Sequence, residues 1–276
     1  MLEIPETIVV ARQMNESLRG KRVQKTIAAA TPHKFAWYYG DPAAYDALLR
    51  GRIVGEALPY GCRVEIAVEG GVMLHFGEGV NLRYYGAGEK LPPKYQLLIN
   101  LEDDSALVGN IAMYGGMWAF PAGAMDEDYY YRIAKTAVPL LSDRFDYAYF
   151  LSLFDEKSER MSAKAFLATE QRIPGLGNGV LQDILLNAKI NPRKKMNTLS
   201  ETQRCELFGS MKETLTAMVS GGGRDVERDL YGKPGGYKTK LSKTNKLALC
   251  PDCGGSVKKE AYLGGSVYYC EQCQQR

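Results

Sequence analysis

Hydrophobic positions along the chain follow two different rhythms in succession. From Pro5 to about Arg19 apolar residues recur with helical spacing. Proline is tolerated in a first helical turn, and Gly20 follows the last periodic residue. From Arg22 to about Phe120 the period shortens. Val64-Glu65-Ile66-Ala67-Val68 alternates, and Tyr95-Gln96-Leu97-Leu98-Ile99-Asn100-Leu101 is a more continuous apolar run of the kind a buried strand shows. Gly70-Gly71, Gly86-Ala87-Gly88 and Asp103-Asp104 punctuate this region as turns. About seven or eight strands at that spacing predict a sandwich. The composition changes around Pro121–Asp126, and from Glu127 to about Met218 the pattern is helical. Gly221-Gly222-Gly223 then breaks the chain, and a Lys/Gly-rich stretch leads to a cysteine-paired tail. No internal repeat is visible. The expectation is an α+β protein with a β-sandwich domain and leading helix over 1–125, a helical domain over 126–240 and a small metal module over 241–276.

A chain of 276 residues stands at the upper edge of what one core serves well, which agrees with more than one domain. The sequence has no apolar run of membrane-spanning length, and its acidic start, Glu3 and Glu6, does not read as a secretory signal. The expected location is therefore the cytoplasm, with no membrane partner. The charge is unevenly placed. Residues 181–276 hold 16 Lys+Arg against 10 Asp+Glu, so the net +3 of the whole chain leaves residues 1–180 slightly acidic. A basic C-terminal part suits a polyanion, although an excess of this size is also what an ordinary solvated surface carries.

Cys250-Pro251-Asp252-Cys253 and Cys270-Glu271-Gln272-Cys273 are two C-x-x-C pairs separated by 16 residues. Each knuckle can present two thiolates to one tetrahedral ion, and the intervening segment can fold back as a hairpin. Two disulfides are the alternative, which a cytoplasmic chain disfavours. Four sulfur ligands close the coordination sphere, so the expected Zn²⁺ is structural. Cys62 and Cys205 fall outside the pattern, and Cys205, in a helical stretch, reads as a small apolar residue.

Gly175-Leu176-Gly177-Asn178 precedes Leu181, Ile184, Leu185 and Ala188, which fall at helical spacing, so a helix begins near Asn178. The first amides of a helix lack partners within it and can hold a phosphate. A tight helix-to-helix turn capped by Asn178 is the equally available reading.

Taken in order, these segments resemble the formamidopyrimidine-DNA glycosylase and endonuclease VIII family. Glu3-Ile4-Pro5-Glu6 looks like its N-terminal signature. Gly175-Leu176-Gly177-Asn178 looks like the loop of its helix–two-turn–helix motif, and the four terminal cysteines look like its zinc finger. The segments Gly222-Gly223-Arg224-Asp225, Asp229-Leu230-Tyr231-Gly232 and Gly235-Gly236-Tyr237 resemble the connection between the two. Leu74-His75-Phe76-Gly77 and Leu140–Asp146 add support in the right order. The resemblance implies an N-terminal β-sandwich with a leading helix, then a helical domain ending in a β-hairpin zinc finger, with double-stranded DNA in the cleft between them. It also implies a mechanism: a damaged base is flipped out, the amine of an N-terminal proline attacks the sugar C1′ to form a Schiff base, the neighbouring glutamate moves protons, and elimination cuts the strand.

Measured against that pattern, Leu2 stands where the proline nucleophile belongs. Leucine beside Met1 disfavours removal of the methionine, so the free amine is expected on Met1, about 3.5 Å of chain out of place. A displacement near 1 Å already impairs nucleophilic attack. A primary amine on Leu2, were Met1 removed, is the remaining route to an imine. Glu3 matches the proton-moving glutamate, and a first-turn carboxylate favoured by the helix dipole is its alternative reading. The family's early lysine is replaced by Cys62; a one-residue slip would offer Arg63, on the opposite strand face. The hairpin arginine is replaced by Gly265 and the void-filling methionine by Glu78. The wedge loop, Asn110–Gly115, has no arginine, though Tyr114 could stack between bases or simply pack at a strand end. Gly177, Asn178, Arg172, Lys194 and Lys195 are the candidate DNA contacts. Three functions compete. One is a DNA-repair N-glycosylase or abasic-site lyase acting through Glu3. Another is a catalytically inactive protein that recognises damaged or bent duplex. The last is a scaffold repurposed for RNA or protein, which an acidic cleft would favour. A monomer is expected.

Overall fold

The computed structural model describes residues 2–77, 79–242 and 249–275. The leading helix α1 (Ile4–Ser17) is followed by nine strands: β1 (Val23–Ala28), β2 (Ala36–Trp37), β3 (Val54–Tyr60), β4 (Arg63–Val68), β5 (Val72–Phe76), β6 (Val80–Tyr85), β7 (Leu97–Leu101), β8 (Ala106–Ile111) and β9 (Gly115–Pro121). A short helix, α2 (Tyr45–Leu49), interrupts the strands between β2 and β3, where the sequence pattern had given only strand. The strands form two sheets, ordered β1-β7-β8-β6 and β2-β9-β5-β4-β3. All pairings are antiparallel except that of β2 with β9. Val64, Ile66 and Val68 alternate with more polar neighbours because one face of β4 packs into the space between the sheets. Leu74, Phe76, Leu97, Ile99 and Met117 fill the same core.

The second half is helical: α3 (Tyr129–Thr136), α4 (Tyr147–Ser152), α5 (Glu156–Glu159), α6 (Ala163–Ala168), α7 (Asn178–Asn187) and α8 (Glu201–Ser220). Asp128, Asp146, Asp155, Ser162 and Ser200 each accept a backbone N–H at the start of a helix, which fixes where α3, α4, α5, α6 and α8 begin. Phe150, Phe166, Leu181, Ile184, Leu207 and Met211 form a second, separate core. The chain ends in an antiparallel hairpin, β10 (Val257–Tyr262) and β11 (Gly265–Cys270).

Helix α1 belongs to both lobes. Val10, Ala11 and Met14, with Leu2 just ahead of the helix, insert into the sandwich core, whereas Ile4 inserts into the helical one. Apolar groups on more than one face explain why its pattern is less one-sided than that of a surface helix. The segment after α8 returns across the junction. The backbone N–H of Tyr84 donates to Leu230 (2.9 Å), and the N–H of Leu230 donates to the Gln13 side chain (3.0 Å), so this strap binds β6 to α1. Further on, the buried Asp183 of α7 accepts the N–H groups of Lys240 and Leu241 and the Tyr237 hydroxyl. The lobes also touch backbone to backbone. Gly175 has φ +84°, and a Cβ there would fall 2.3 Å from the carbonyl carbon of Gly61. Only glycine tolerates both the conformation and the approach.

Candidate nucleic-acid interface

Glu3 sits immediately before α1, yet its carboxylate serves a different helix. It accepts the N–H groups of Gly179 (2.9 Å) and Val180 (2.7 Å), the first amides of α7. The expected phosphate site at this helix tip is therefore filled from within the chain, because a buried carboxylate satisfies the same donors and the same end of the helix dipole. Asn178 does not cap α7 either: Gly177 holds the cap position, with no side-chain cap. The glycines in this turn make room for the network. A Cβ on Gly177 would fall 2.4 Å from a Glu3 carboxylate oxygen, and one on Gly179 2.0 Å from the Arg224 guanidinium.

Arg224 completes the arrangement. Its guanidinium grips Glu6 with two N–H donors, Nε at 2.9 Å and Nη2 at 2.8 Å, and stands 3.3 Å from Glu3 through Nη1. All three side chains are buried, Arg224 at 2 % exposure. Burial pushes the Glu3 carboxyl above its ordinary value, with Arg224 and the two amides pulling the other way and Glu6 adding to the rise. Glu6 is half of a fork–fork ion pair.

A cavity of about 400 Å³ opens beside this centre, between the sandwich, the α6–α7 turn and the hairpin tip. Leu2 and Glu3 form part of its wall, with Cys62, Tyr114, Asn178 and Gly265 around them. Leu2 is only 6 % exposed and its side chain packs into the sandwich core. Glu3 is the only carboxylate among the described residues lining this cavity, and no lysine or arginine lines it. Gly265 lies against α7: a Cβ there would meet the Asn178 amide at 3.4 Å and the Lys164 ammonium at 3.5 Å, both ordinary contacts.

Among the sequence-derived candidates, Gly177, Asn178, Tyr114, Leu2 and Glu3 share this cavity. The Asn178 amide nitrogen donates to the Ser266 carbonyl (3.0 Å), joining the helix tip to the hairpin. Arg172 does not line it. Its guanidinium donates to the Leu153 carbonyl (3.2 Å) and lies over the Phe166 ring, inside the helical lobe. Lys194 and Lys195 lie on the loop after α7, where Lys195 donates to the Arg160 carbonyl (3.0 Å). Cys205, which reads in the sequence as a small apolar residue of a helical stretch, does lie in α8, and it is exposed. Met1 and Glu78 lie outside the described residues.

The four tail cysteines converge at the base of the β10–β11 hairpin. Their sulfurs all lie within 4.8 Å of one another, with Cys250–Cys273 at 3.9 Å and Cys253–Cys270 at 3.5 Å. A tetrahedral site with metal–sulfur bonds near 2.3 Å needs sulfur–sulfur edges of about 3.8 Å, so the donor set fits one metal ion. The N–H of Gly255 donates to the Cys253 sulfur (3.3 Å).

Sequence reasoning missed a second polar centre in the sandwich lobe. Glu65 of β4 accepts the Tyr131 hydroxyl (2.6 Å), the Lys135 ammonium (2.8 Å) and a contact from His75 Nδ1 (3.2 Å). Burial pushes Glu65 up, but the hydrogen bonds from His75, Lys135 and Tyr131 outweigh it and hold the carboxyl down at about 2. These partners come from β5 and α3, so no local spacing announces them.

Comparison with known proteins gives the arrangement a context. No family model matches the chain. Curated relatives named formamidopyrimidine-DNA glycosylase do: one from Cytobacillus firmus is 26 % identical over 282 residues, covering 99 % of this chain and 100 % of the relative. Another, from Syntrophomonas wolfei, is 28 % identical over 82 % of this chain and 84 % of its own. Over its full length the chain is similar to the formamidopyrimidine-DNA glycosylase family. The fold agrees: the MutM (Fpg) structure from Thermus thermophilus superposes with a TM-score of 0.81 over 99 % of this chain and 98 % of that one, at 23 % identity. A Lactococcus lactis Fpg structure, described as a complex with DNA containing an abasic site, gives 0.80 over 99 % and 100 % of the two chains at 21 % identity.

Proposed function

We propose that this chain binds damaged or bent double-stranded DNA in the cleft between its lobes and serves base-excision repair through recognition, without the imine-forming lyase step. The single observation that carries this reading is the state of the cavity wall. The family's fold and its cysteine-pinned hairpin are present, while the position of the expected nucleophile holds a buried leucine side chain and the hairpin tip holds glycine. Zn²⁺ is the ion that suits four thiolates at these distances; when bound it supplies structure, fixing the hairpin against α7. The nearly neutral lining of the cavity places the phosphate-binding load on basic residues around it, so DNA affinity should fall with salt. In this reading the cavity wall at Gly177 and Asn178 faces the duplex and Tyr114 offers a stacking surface.

A second reading rests on Glu3. It lines the cavity, and burial raises its carboxyl, which suits a group that gives up a proton to a leaving base. Base release through water, with no covalent intermediate, would then survive the loss of the proline. Borohydride trapping on abasic-site duplex, run beside base-release assays on a lesion panel, separates the two. Recognition alone predicts neither adduct nor free base but salt-dependent binding; free base without adduct supports the second reading, and a trapped adduct refutes the first.

A further inference from the structure

A separate cavity, of about 290 Å³, lies where the two lobes and the segment joining them meet. Ile8 of α1, Tyr60 at the end of β3, Val138 and Leu141 of the joining segment, and Ile173 ahead of α7 supply its apolar walls. Ile8, Val138 and Leu141 pack on the helical core yet stay only half-buried, so apolar surface is left facing the space. The joining segment is held from the helical lobe. The Ser142 hydroxyl donates to the Pro139 carbonyl (2.7 Å), and the Lys212 ammonium donates to the Ser142 carbonyl (2.7 Å). Gly61 and Pro174 line this cavity, while their chain neighbours Cys62 and Gly175 line the one beside Glu3. The close approach of Gly61 to Gly175 therefore forms a seam between the two spaces, and Ile173 is the one wall residue they share among the described residues.

The charged groups of the lining are of one sign. Lys135 and Arg144 line the cavity, and among the described residues no aspartate or glutamate does. The two cations differ in availability. Lys135 gives its ammonium to Glu65 (2.8 Å) and to the Tyr131 hydroxyl (3.2 Å). Arg144 is exposed, and its guanidinium has no hydrogen-bond or ion-pair partner among the described residues. We infer that this cavity takes a small amphiphilic carboxylate, a free medium-chain fatty acid, with its tail against Ile8, Val138 and Leu141 and its head on Arg144. The inference goes beyond the DNA-binding reading and does not rest on it. A planar guanidinium fork matches a carboxylate, and an apolar wall matches the chain behind it. A nucleotide would bring several negative charges to a single available cation and a polar body to apolar walls. An alkylammonium head would meet two cations and no carboxylate. The volume stands at the small end of the roughly 300–1,000 Å³ range of small-ligand sites, which suits one tail and not the two of a phospholipid.

Decanoate, decanol and decylammonium share one tail and differ in the charge of the head. Each is titrated below its micelle concentration into the whole protein, followed by methyl NMR. Decanoate should shift the methyl signals of Ile8, Val138 and Leu141 and bind about ten-fold tighter than decanol, with decylammonium the weakest. Arg144→Gln, at an exposed position, should erase the preference for decanoate over decanol. Val138→Trp, which fills the space, should abolish binding of all three, and the exposed Arg144→Gln carries the test by itself should the bulkier side chain prevent folding. Equal affinity for the three heads is the adsorption of any surfactant and overturns the inference. Shifts confined to methyls outside this cavity, no binding of decanoate, or decanoate held as tightly by Arg144→Gln as by the wild type overturn it as well. All of these outcomes leave DNA recognition standing, since the duplex is absent from the measurement.

Discussion

Replacing Arg224 by methionine tests whether the Glu3–Arg224–Glu6 centre holds the lobes together by charge. The guanidinium makes two contacts to Glu6, at 2.9 and 2.8 Å, and one to Glu3 at 3.3 Å, all out of solvent. Methionine keeps much of the volume but leaves two buried carboxylates without a cation, a change that costs about 3–5 kcal/mol when one partner of a buried pair is removed. At about 2–4 °C per kcal/mol for a chain of this size, the melting temperature should fall by about 10 °C. The pH dependence identifies the cause. Burial already raises the Glu3 carboxyl, and Arg224 is the largest influence opposing that rise, so the variant raises it further. A carboxyl whose folded value exceeds its unfolded one makes the folded state bind protons more tightly. Stability then falls as pH rises from the ordinary carboxylate value, near 4.5, through the raised folded one. The penalty should therefore be full at pH 8 and visibly smaller at pH 4.5, measured by thermal or urea unfolding of both proteins. A loss below about 1 kcal/mol at pH 8, or an equal loss at both pH values, would refute the charge argument.

Other substitutions probe the remaining contacts. Gly175→Ala should destabilise by about 2 kcal/mol or more, because the new methyl meets Gly61 at 2.3 Å on a left-handed backbone; urea midpoints check it. Glu65→Gln should cost about 2 kcal/mol at pH 7, the value of hydrogen bonds to a charged group. The wild type should lose its advantage over that variant as pH falls from the ordinary carboxylate range toward about 2, since a depressed carboxyl stabilises only while ionised. Chelation should release one Zn²⁺ per chain, read by a colorimetric indicator, and loosen the hairpin in hydrogen exchange while the sandwich stays protected. Gly265→Arg adds a cation at the cavity rim where a Cβ meets only ordinary contacts; the slope of log affinity against log salt should steepen by about one.

The α+β layout and the metal module were legible in the residues because their signals are local. Periods of about 3.6 and 2 report which face of a helix or strand is buried, and two C-x-x-C knuckles carry their geometry in four-residue spacings. The family pattern was legible too, since its motifs keep their order along the whole chain. The role of the glycine turn was not. Gly175, Gly177 and Gly179 look like a phosphate cradle in sequence, and nothing nearby reveals that Glu3, about 175 residues earlier, fills the helix tip. Glu6 and Arg224, separated by 218 positions, pair only because α1 lies between the lobes and the strap after α8 returns to it. Short-range pattern records what each segment prefers to bury, whereas contacts between distant segments depend on how the finished cores bring them together, and that was decided by the tertiary structure.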